Sequence, residues 1–417
     1  EWERVIHFDP LAALASSRRN NKWVTLSGQP YSADGSYLTA EQLLTNPAFI
    51  SPESLYNLPS RDPNHFIAGQ VNTNFDQWLH VLSNLGDFPL KDSITEWLRD
   101  GVDITKFFVH YSGKFKNVHY DSEWPPHYCQ VNSPFCKPHS DFIASELFNG
   151  LQNGSLGLWG KVGECDPPHL VLPLVVEDSK EKKRLCQDAR FLNLWIKDAP
   201  FTLENLKEIP FLVEKDDFIC CMDEKSGYNH IALHNDSKTF LGIEFAGWYL
   251  VYNNLSFGVK LSGFVYQSVG MVITAYLRKH SIPMIQYIDD RFMTEYRGHC
   301  LQLLSKEQRI LITIYCALEI MTRLGYTFAI NKGSCYRALF LNSLQFLGFL
   351  VDSHQMQFSI PADKREKFKR LREDILCIDL VPVRMLQKFL GKCMSFALCV
   401  PGAKLYVREV TFCTFCG

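Results

Sequence analysis

Two adjacent aspartates, Asp289 and Asp290, interrupt an otherwise apolar stretch from Met284 to Met293. The pattern reads as a hairpin with the acids at its turn. Neighbouring carboxylates repel one another, and burial disfavours their charged forms. A divalent cation removes both penalties; hard oxygen ligands favour magnesium, which keeps sites for water and phosphate. A third acid, Asp223, closes Asp217 to Asp223, which reads as a buried strand able to pair beside that hairpin. Three carboxylates on neighbouring strand ends suit two metal ions about 4 Å apart, the arrangement of in-line phosphoryl and nucleotidyl transfer. Asp is also common in turns, and Tyr-x-Asp-Asp arises by chance in about 4 of 100 chains of this length. The pair therefore has weight only together with its surroundings.

Those surroundings change character along the chain. Residues 1–140 are polar, aromatic and turn-rich. Within them Ser93 to Gly101 reads as a short helix capped by Ser93, with Glu96 three residues on. Asn117 to His139, with Pro125-Pro126, reads as a linker or irregular loop, and a helix is expected near Asp141 to Asn149. Leu170 to Val176 reads as a strand that Pro173 places at a sheet edge. Glu177 to Lys183 is a charged loop, and Arg184 to Ala189 a second strand. Leu261 to His280 carries a helical apolar stripe stopped by Pro283, and Gln308 to Leu324 is a helix closed by Gly325. Phe346 to Val351 and Met356 to Ile360 form a hairpin, followed by helices near Ala362 to Leu376 and Val383 to Leu398. This order predicts an α+β fold with helices behind an antiparallel sheet.

Composition sets bounds on partners. The 417 residues carry a net charge of −2, so the chain as a whole is not strongly basic. The run Lys364 to Arg372 holds six basic residues against Glu366, a local face suited to phosphate. No apolar run reaches the roughly 18 residues that a membrane span needs. The 14 cysteines are scattered through apolar stretches, the habit of thiols in a reducing compartment; an intracellular protein, cytoplasmic or nuclear, is expected. His127, Cys129, Cys136 and His139, and the pair Cys413 and Cys416, match no full zinc spacing and read as ordinary thiols and imidazoles. Glu1 rather than Met opens the chain, which reads as a fragment of a longer product.

From about Leu170 to Gly348, and on to about Glu409, the sequence resembles reverse transcriptases. Arg184-Leu-Cys-Gln-Asp188-Ala-Arg190-Phe-Leu192-Asn193 resembles their fingers motif, and Phe218 to Tyr228 their first palm motif, an acid with an aromatic five residues on. Leu255-Ser256-Phe257-Gly258 resembles the Leu-Pro-Phe-Gly loop, and Tyr287-Ile288-Asp289-Asp290 the Tyr-x-Asp-Asp box. Gly325 with Lys332 fits the next motif, and Phe346-Leu347-Gly348 the primer-grip hairpin. The wording Arg184 to Trp195, Asp223 to Tyr228 and Gln286 to Arg291 is most similar to LTR-type retroelements of the tyrosine-recombinase, DIRS-like group.

The resemblance implies a right-hand polymerase: fingers and palm over 141–360 and a helical thumb from 361 to 417, behind an N-terminal extension, 1–140, of no assigned function. It implies an RNA-directed DNA polymerase that extends a primer on an RNA or DNA template with deoxynucleoside triphosphates. Asp223 and Asp289 would bind two Mg²⁺ ions, with Mn²⁺ as a substitute, and Asp290 would be a weaker ligand. Arg184 would contact the triphosphate, with help from Lys180, Lys182 or Lys183. Tyr228 would exclude a ribose 2′-hydroxyl, Phe257 and Gly258 would line the nucleotide or template, and Lys332 would protonate the leaving pyrophosphate. Phe346, Leu347 and Gly348 would hold the primer end, with the basic run on the duplex backbone. Ser256 departs from the family's proline, and Lys183 from the aromatic that often precedes the fingers arginine. An RNase H domain is expected downstream in the full-length product. Two other readings stand beside this one: an RNA-dependent RNA polymerase, which Tyr228 opposes, and a decayed or domesticated element that binds nucleic acid without polymerising.

Overall fold

The computed structural model of the chain describes residues 6–31, 40–46, 50–178, 183–299, 301–335 and 340–415. After several short elements come helices α1 (Phe75–Leu85) and α2 (Lys91–Asp100). A hairpin of β1 (Tyr111–Phe115) and β2 (Val118–Ser122), the short strand β3 (Tyr128–Cys129) and helix α3 (Ser140–Asn153) follow. Next are β4 (Leu156–Lys161), β5 (Leu170–Val171), β6 (Leu174–Glu177), β7 (Arg184–Gln187) and β8 (Ile219–Asp223). The chain continues through β9 (Gly242–Phe245), β10 (Trp248–Tyr252), α4 (Lys260–Lys279), β11 (Met284–Tyr287) and β12 (Asp290–Thr294). Helix α5 (Lys306–Arg323) leads to β13 (Ser343–Phe346), β14 (Phe349–Asp352) and β15 (Gln357–Ser359), then α6 (Ala362–Leu376) and α7 (Val383–Ser395). Helices and strands are mixed along the chain, as an α+β fold requires.

The three acids ride on a three-stranded antiparallel sheet in the order β8-β12-β11. Side chains alternate across a strand, so the two faces of this sheet differ. Ile219, Ile285 and Phe292 join Leu344, Phe346 and Val351 of the β13-β14-β15 sheet in one apolar cluster. Cys220, Met222, Met284 and Met293 belong to the main core, which includes Val265, Val269 and Ile273 of α4 and Leu311 and Ile314 of α5. A second sheet, β3-β5-β9-β10-β4, shares a core with Ile143, Leu147 and Leu151 of α3.

Several local expectations are corrected. The stretch from Leu170 to Val176 is not one strand, because Pro173, which lacks an N–H, ends pairing. β5 lies inside the five-stranded sheet, and β6 turns away to pair with β7. Ser93 is not a cap: α2 starts at Lys91, and Leu90 before it takes a left-handed backbone with φ 59°. Asn117 to His139 is not a linker. It holds β2, β3 and a 3₁₀ turn, Pro134–His139. The β1–β2 hairpin is polar outward, while its rings of Phe115 and Tyr120 each sit 5.3 Å from Phe191.

The first hundred residues also share the main core: Leu43, Trp78 and Trp97 cluster with Tyr315 and Tyr326. Trp78 Nε1 donates to the carbonyl of Leu324 at 3.0 Å, covering the end of α5. Among the described residues no helix is long and apolar enough to cross a membrane.

Candidate active site

Pairing of β8 with β12 places Asp223 directly opposite Asp290, and pairing of β12 with β11 places Tyr287 opposite Asp290. Asp289 occupies the turn between. The end of β8 is held from both sides: Glu224 N–H donates to the Asp289 carbonyl at 3.1 Å, and Ala329 N–H to the Asp223 carbonyl at 2.9 Å. Burial, then the charges of Asp289 and Asp223, push the Asp290 carboxyl up to about 6. Asp289 is raised as well, first by burial and next by Asp223, with Lys332 and Arg184 opposing. Lys332 Nζ lies 3.2 Å from Asp223 Oδ2 and supplies part of the missing positive charge. This is a site under charge stress, which a bound cation would relieve.

The turn itself is clamped from behind. Ile288 has φ 55°, unusual for a β-branched residue. Gln267 on α4 accepts from Ile288 N–H at 2.9 Å and donates to the Gln286 carbonyl at 3.1 Å. Gln286 in turn donates to the Ile288 carbonyl at 2.9 Å. Replacing Gln267 by Leu strips a part-buried donor, Ile288 N–H, and a buried acceptor, the Gln286 carbonyl, of their partner. The Gln267→Leu variant should lose about 1–3 kcal/mol of stability in urea denaturation, and its turn acids should lose their fixed place; unchanged stability would show that the clamp is dispensable.

Arg184 is exposed on β7, close enough for its charge to act on Asp289. The ring of Tyr228 packs edge-on to Phe257 at 4.8 Å and to Tyr266 at 5.5 Å. Phe257 is 59% exposed, so one of its faces is open to a ligand. Gly258 has φ 99°, and a Cβ there would lie 2.5 Å from the Gln187 carbonyl oxygen, so only glycine fits. Asn193 fixes this loop: its amide donates to the Gly258 carbonyl at 2.8 Å and accepts from Lys260 N–H at 3.0 Å.

A cleft of about 270 Å³ joins Cys221, Met222, Asp223, Asp290, Lys332 and Gly333 to Gln345, Phe346, Leu347 and Gly348. Phe346 buries its ring 5.4 Å from Phe292 and so supports the cleft from below. Leu347 and Gly348, with φ 45° and 79°, make the two-residue turn between β13 and β14. Lys364 Nζ donates to the Gly348 carbonyl at 2.7 Å and ties α6 to that turn. The other basic residues of the Lys364 to Arg372 run are exposed along α6.

His230 is fully buried beneath the site. Its Nδ1 donates to the Gly227 carbonyl at 2.9 Å, and its Nε2 accepts from Thr327 N–H at 3.0 Å, which fixes a neutral ring. Burial holds its pKa down at about 4. The unfolded chain binds the proton first, so this histidine's contribution is complete above about 6.5 and is lost as pH falls toward 4. Raised Glu224 and Asp290 act in the opposite sense, so the effect is read as a difference. The stability advantage of wild type over His230→Gln should shrink by about 2 kcal/mol between about pH 6.5 and 5 in urea denaturation; a pH-independent difference would contradict this assignment.

Among the described residues no three His, Cys, Asp or Glu side chains converge as a ready-made metal cage. Cys136 is buried and donates to the Leu174 carbonyl at 3.1 Å, while Cys129 is exposed. His139 lies 3.7 Å from Asp178. Lys180, Lys182 and Cys416 lie outside the described residues, as does the side chain of Cys413. For Asp223, Asp289 and Asp290 an open arrangement suits magnesium, which takes one or two carboxylates and completes its shell with water and phosphate. The donor set fits: hard oxygens only, two of the three groups raised by burial and mutual repulsion.

Sequence reading gave no structural role to Gln267 or His230, and placed Asn193 and Gln286 only within motif wording. Gln267 had a visible signal, an amide within the apolar stripe of α4; Asn193 and His230 act on residues 65 to 97 positions away.

No family model matches the sequence, and no curated protein is significantly similar to it. Solved structures are similar in fold. The foamy viral protease-reverse transcriptase in complex with an RNA/DNA hybrid superposes with a TM-score of 0.53 at 15% identity, over 81% of this chain and 42% of that one. The dRH form in complex with double-stranded DNA gives 0.53 and 15%, over 81% and 54%. A further complex with double-stranded DNA gives 0.50 and 15%, over 81% and 65%. The chain thus spans about half the length of these proteins. The likeness is one of architecture: this chain has a reverse-transcriptase-like fold.

Proposed function

We propose that the chain is the polymerase core of a reverse transcriptase, an RNA-directed DNA polymerase serving retrotransposon replication. One observation carries this most: three carboxylates on a strand end and an adjacent turn, two of them raised by burial and repulsion, on a reverse-transcriptase-like fold. The structural neighbours were determined with an RNA/DNA hybrid or double-stranded DNA, which supports a template and primer as the partners here. The motif wording supports the finer assignment to an LTR-type, DIRS-like element.

Residues 141–360 are assigned to fingers and palm, 361–417 to the thumb, and 1–140 to an N-terminal extension. Asp223 and Asp289 would hold two Mg²⁺ ions, with Asp290 a weaker ligand. When bound, the metals would acidify the primer 3′-hydroxyl and neutralise charge on the triphosphate. The chain's own groups do the rest. Arg184 presents a planar fork to triphosphate oxygens. Lys332, exposed and already beside Asp223, stands where it can give a proton to the leaving pyrophosphate. Tyr228 would crowd a ribose 2′-hydroxyl, and Phe257 and Gly258 bring ring and backbone up to the incoming nucleotide. Leu347 and Gly348, supported by Phe346, hold the primer end. The basic face of α6 sits on the duplex backbone, positioning it without reading its sequence.

Primer extension on poly(rA)/oligo(dT) with magnesium tests the proposal. Incorporation of dTTP is expected. A folded protein that binds the duplex and incorporates no dTTP would leave only the nucleic-acid-binding reading.

A further inference from the structure

Behind the acids lies a charged cluster that the proposed chemistry does not use. Glu224 follows Asp223 and Arg291 follows Asp290, and both side chains are completely buried. Arg291 Nε donates to Glu224 Oε1 at 2.7 Å. The hydroxyl of Tyr266 on α4 donates to Glu224 Oε2. Arg291 Nη1 also donates to Thr274 Oγ1 at 3.1 Å, and its guanidinium stands 6.0 Å from the Tyr326 ring centroid. Three elements therefore meet in one hydrogen-bonded knot: the end of β8, the start of β12 and the buried face of α4.

Burial alone does not call for this knot. Well-packed apolar side chains replace buried ion pairs without loss of stability, and often with a gain. What an ionic cluster adds is direction, because donors and acceptors must meet at fixed angles. Alternation makes that direction matter. Successive side chains of a strand point to opposite faces, so Arg291 enters the helix-packed side while Asp290 enters the cleft. Glu224 is tied to the turn acid as well, through its N–H on the Asp289 carbonyl. The contact is close: a Cβ on Gly227 would meet Asp289 Cβ at 3.3 Å and Tyr266 Oη at 3.5 Å.

We infer that Glu224, Arg291 and Tyr266 are positioning residues that set the orientation of Asp223, Asp289 and Asp290 from behind the sheet. The role rests on the polymerase reading above. None of the three lines the cleft that holds Asp223 and Asp290. The cluster acts through the backbone of the two strands, so it governs the rate of the chemical step and not the capture of duplex.

Single substitutions would leave a buried charge unpaired, so the test uses Glu224→Leu together with Arg291→Met, and separately Tyr266→Phe. Each is compared with wild type for thermal midpoint, binding of a primed duplex, kcat, KM for dTTP and the magnesium concentration giving half-maximal rate. The double variant should melt within a few degrees of wild type and bind duplex as tightly. Its kcat should fall by about tenfold to a hundredfold, the scale of a misplacement near 1 Å. KM for dTTP should stay within about twofold, and the half-maximal magnesium concentration should rise, because the loss is of geometry and not of substrate contacts. Tyr266→Phe should show the same split in smaller degree. A folded double variant with wild-type kcat and magnesium dependence would overturn the inference and assign the cluster to packing. Should the double variant fail to fold, Tyr266→Phe decides alone: lowered kcat at an unchanged midpoint supports the role, and unchanged kcat overturns it. A wild-type protein that extends no primer would instead refute the polymerase reading, and the positioning role with it.

Discussion

Asp289→Asn should leave the protein folded and bound to its duplex, yet slow nucleotide incorporation by about a thousandfold or more. The estimate follows from the several kcal/mol of transition-state charge stabilisation that metal ions supply, at about 1.4 kcal/mol per tenfold in rate. Asp289 is close enough to Asp223 and Asp290 for their charges to interact, and its carboxyl is raised by burial first and by Asp223 next. An amide of the same shape removes one charge from a crowded set. The metal-free variant should therefore melt at the same temperature as wild type or higher. Duplex affinity should hold or rise, since a negative charge has left the cleft. Single-turnover incorporation on a prebound primer separates the chemical step from binding. A variant retaining even a tenth of the wild-type rate would refute the metal-binding role proposed for Asp289.

Tyr228→Ala should change which sugar is accepted more than how fast the preferred one reacts. The ring is wedged between Phe257 at 4.8 Å and Tyr266 at 5.5 Å, so it has little room to swing aside. Its truncation opens space on the nucleotide side of the acids. Discrimination against UTP relative to dTTP, measured as the ratio of kcat/KM values, should fall by about a hundredfold, near the upper reach of a pocket that selects by shape alone. The loss should lie mainly in UTP becoming a substrate, with dTTP turnover altered far less. An unchanged ratio would make Tyr228 a packing residue supporting Phe257.

Local patterns in the sequence carried much of the fold. The hairpin around Asp289 and Asp290 stood out because acids interrupt apolar residues there, and the structure forms it as Met284–Tyr287 and Asp290–Thr294. Helix α6 runs from Ala362 to Leu376, its expected span, because a proline precedes it and charged residues fill its turns. What was not legible depends on partners far away in the chain. Asn117 to His139, which holds β2, looked like linker or irregular loop because it is mostly polar; the aromatic side of the β1–β2 hairpin makes sense only beside Phe191 and Trp195. Likewise the first hundred residues contain few long apolar runs, yet Trp78 and Trp97 lie in the main core. At the site, Asp223 and Asp290 face each other across paired strands and Asp289 takes the adjoining turn. The groups behind them do not announce themselves: Glu224 and Arg291 stand 67 residues apart, and no local pattern pairs them.

Synthesis of a defined copy is the decisive measurement for RNA-directed DNA polymerisation. A heteropolymeric RNA template, a complementary DNA primer, four deoxynucleoside triphosphates and magnesium are supplied, and the product is sequenced. DNA complementary to the template is expected, absent when EDTA is added and absent with Asp289→Asn. A folded protein that binds the hybrid but returns the primer unextended, with magnesium or with manganese, would contradict it.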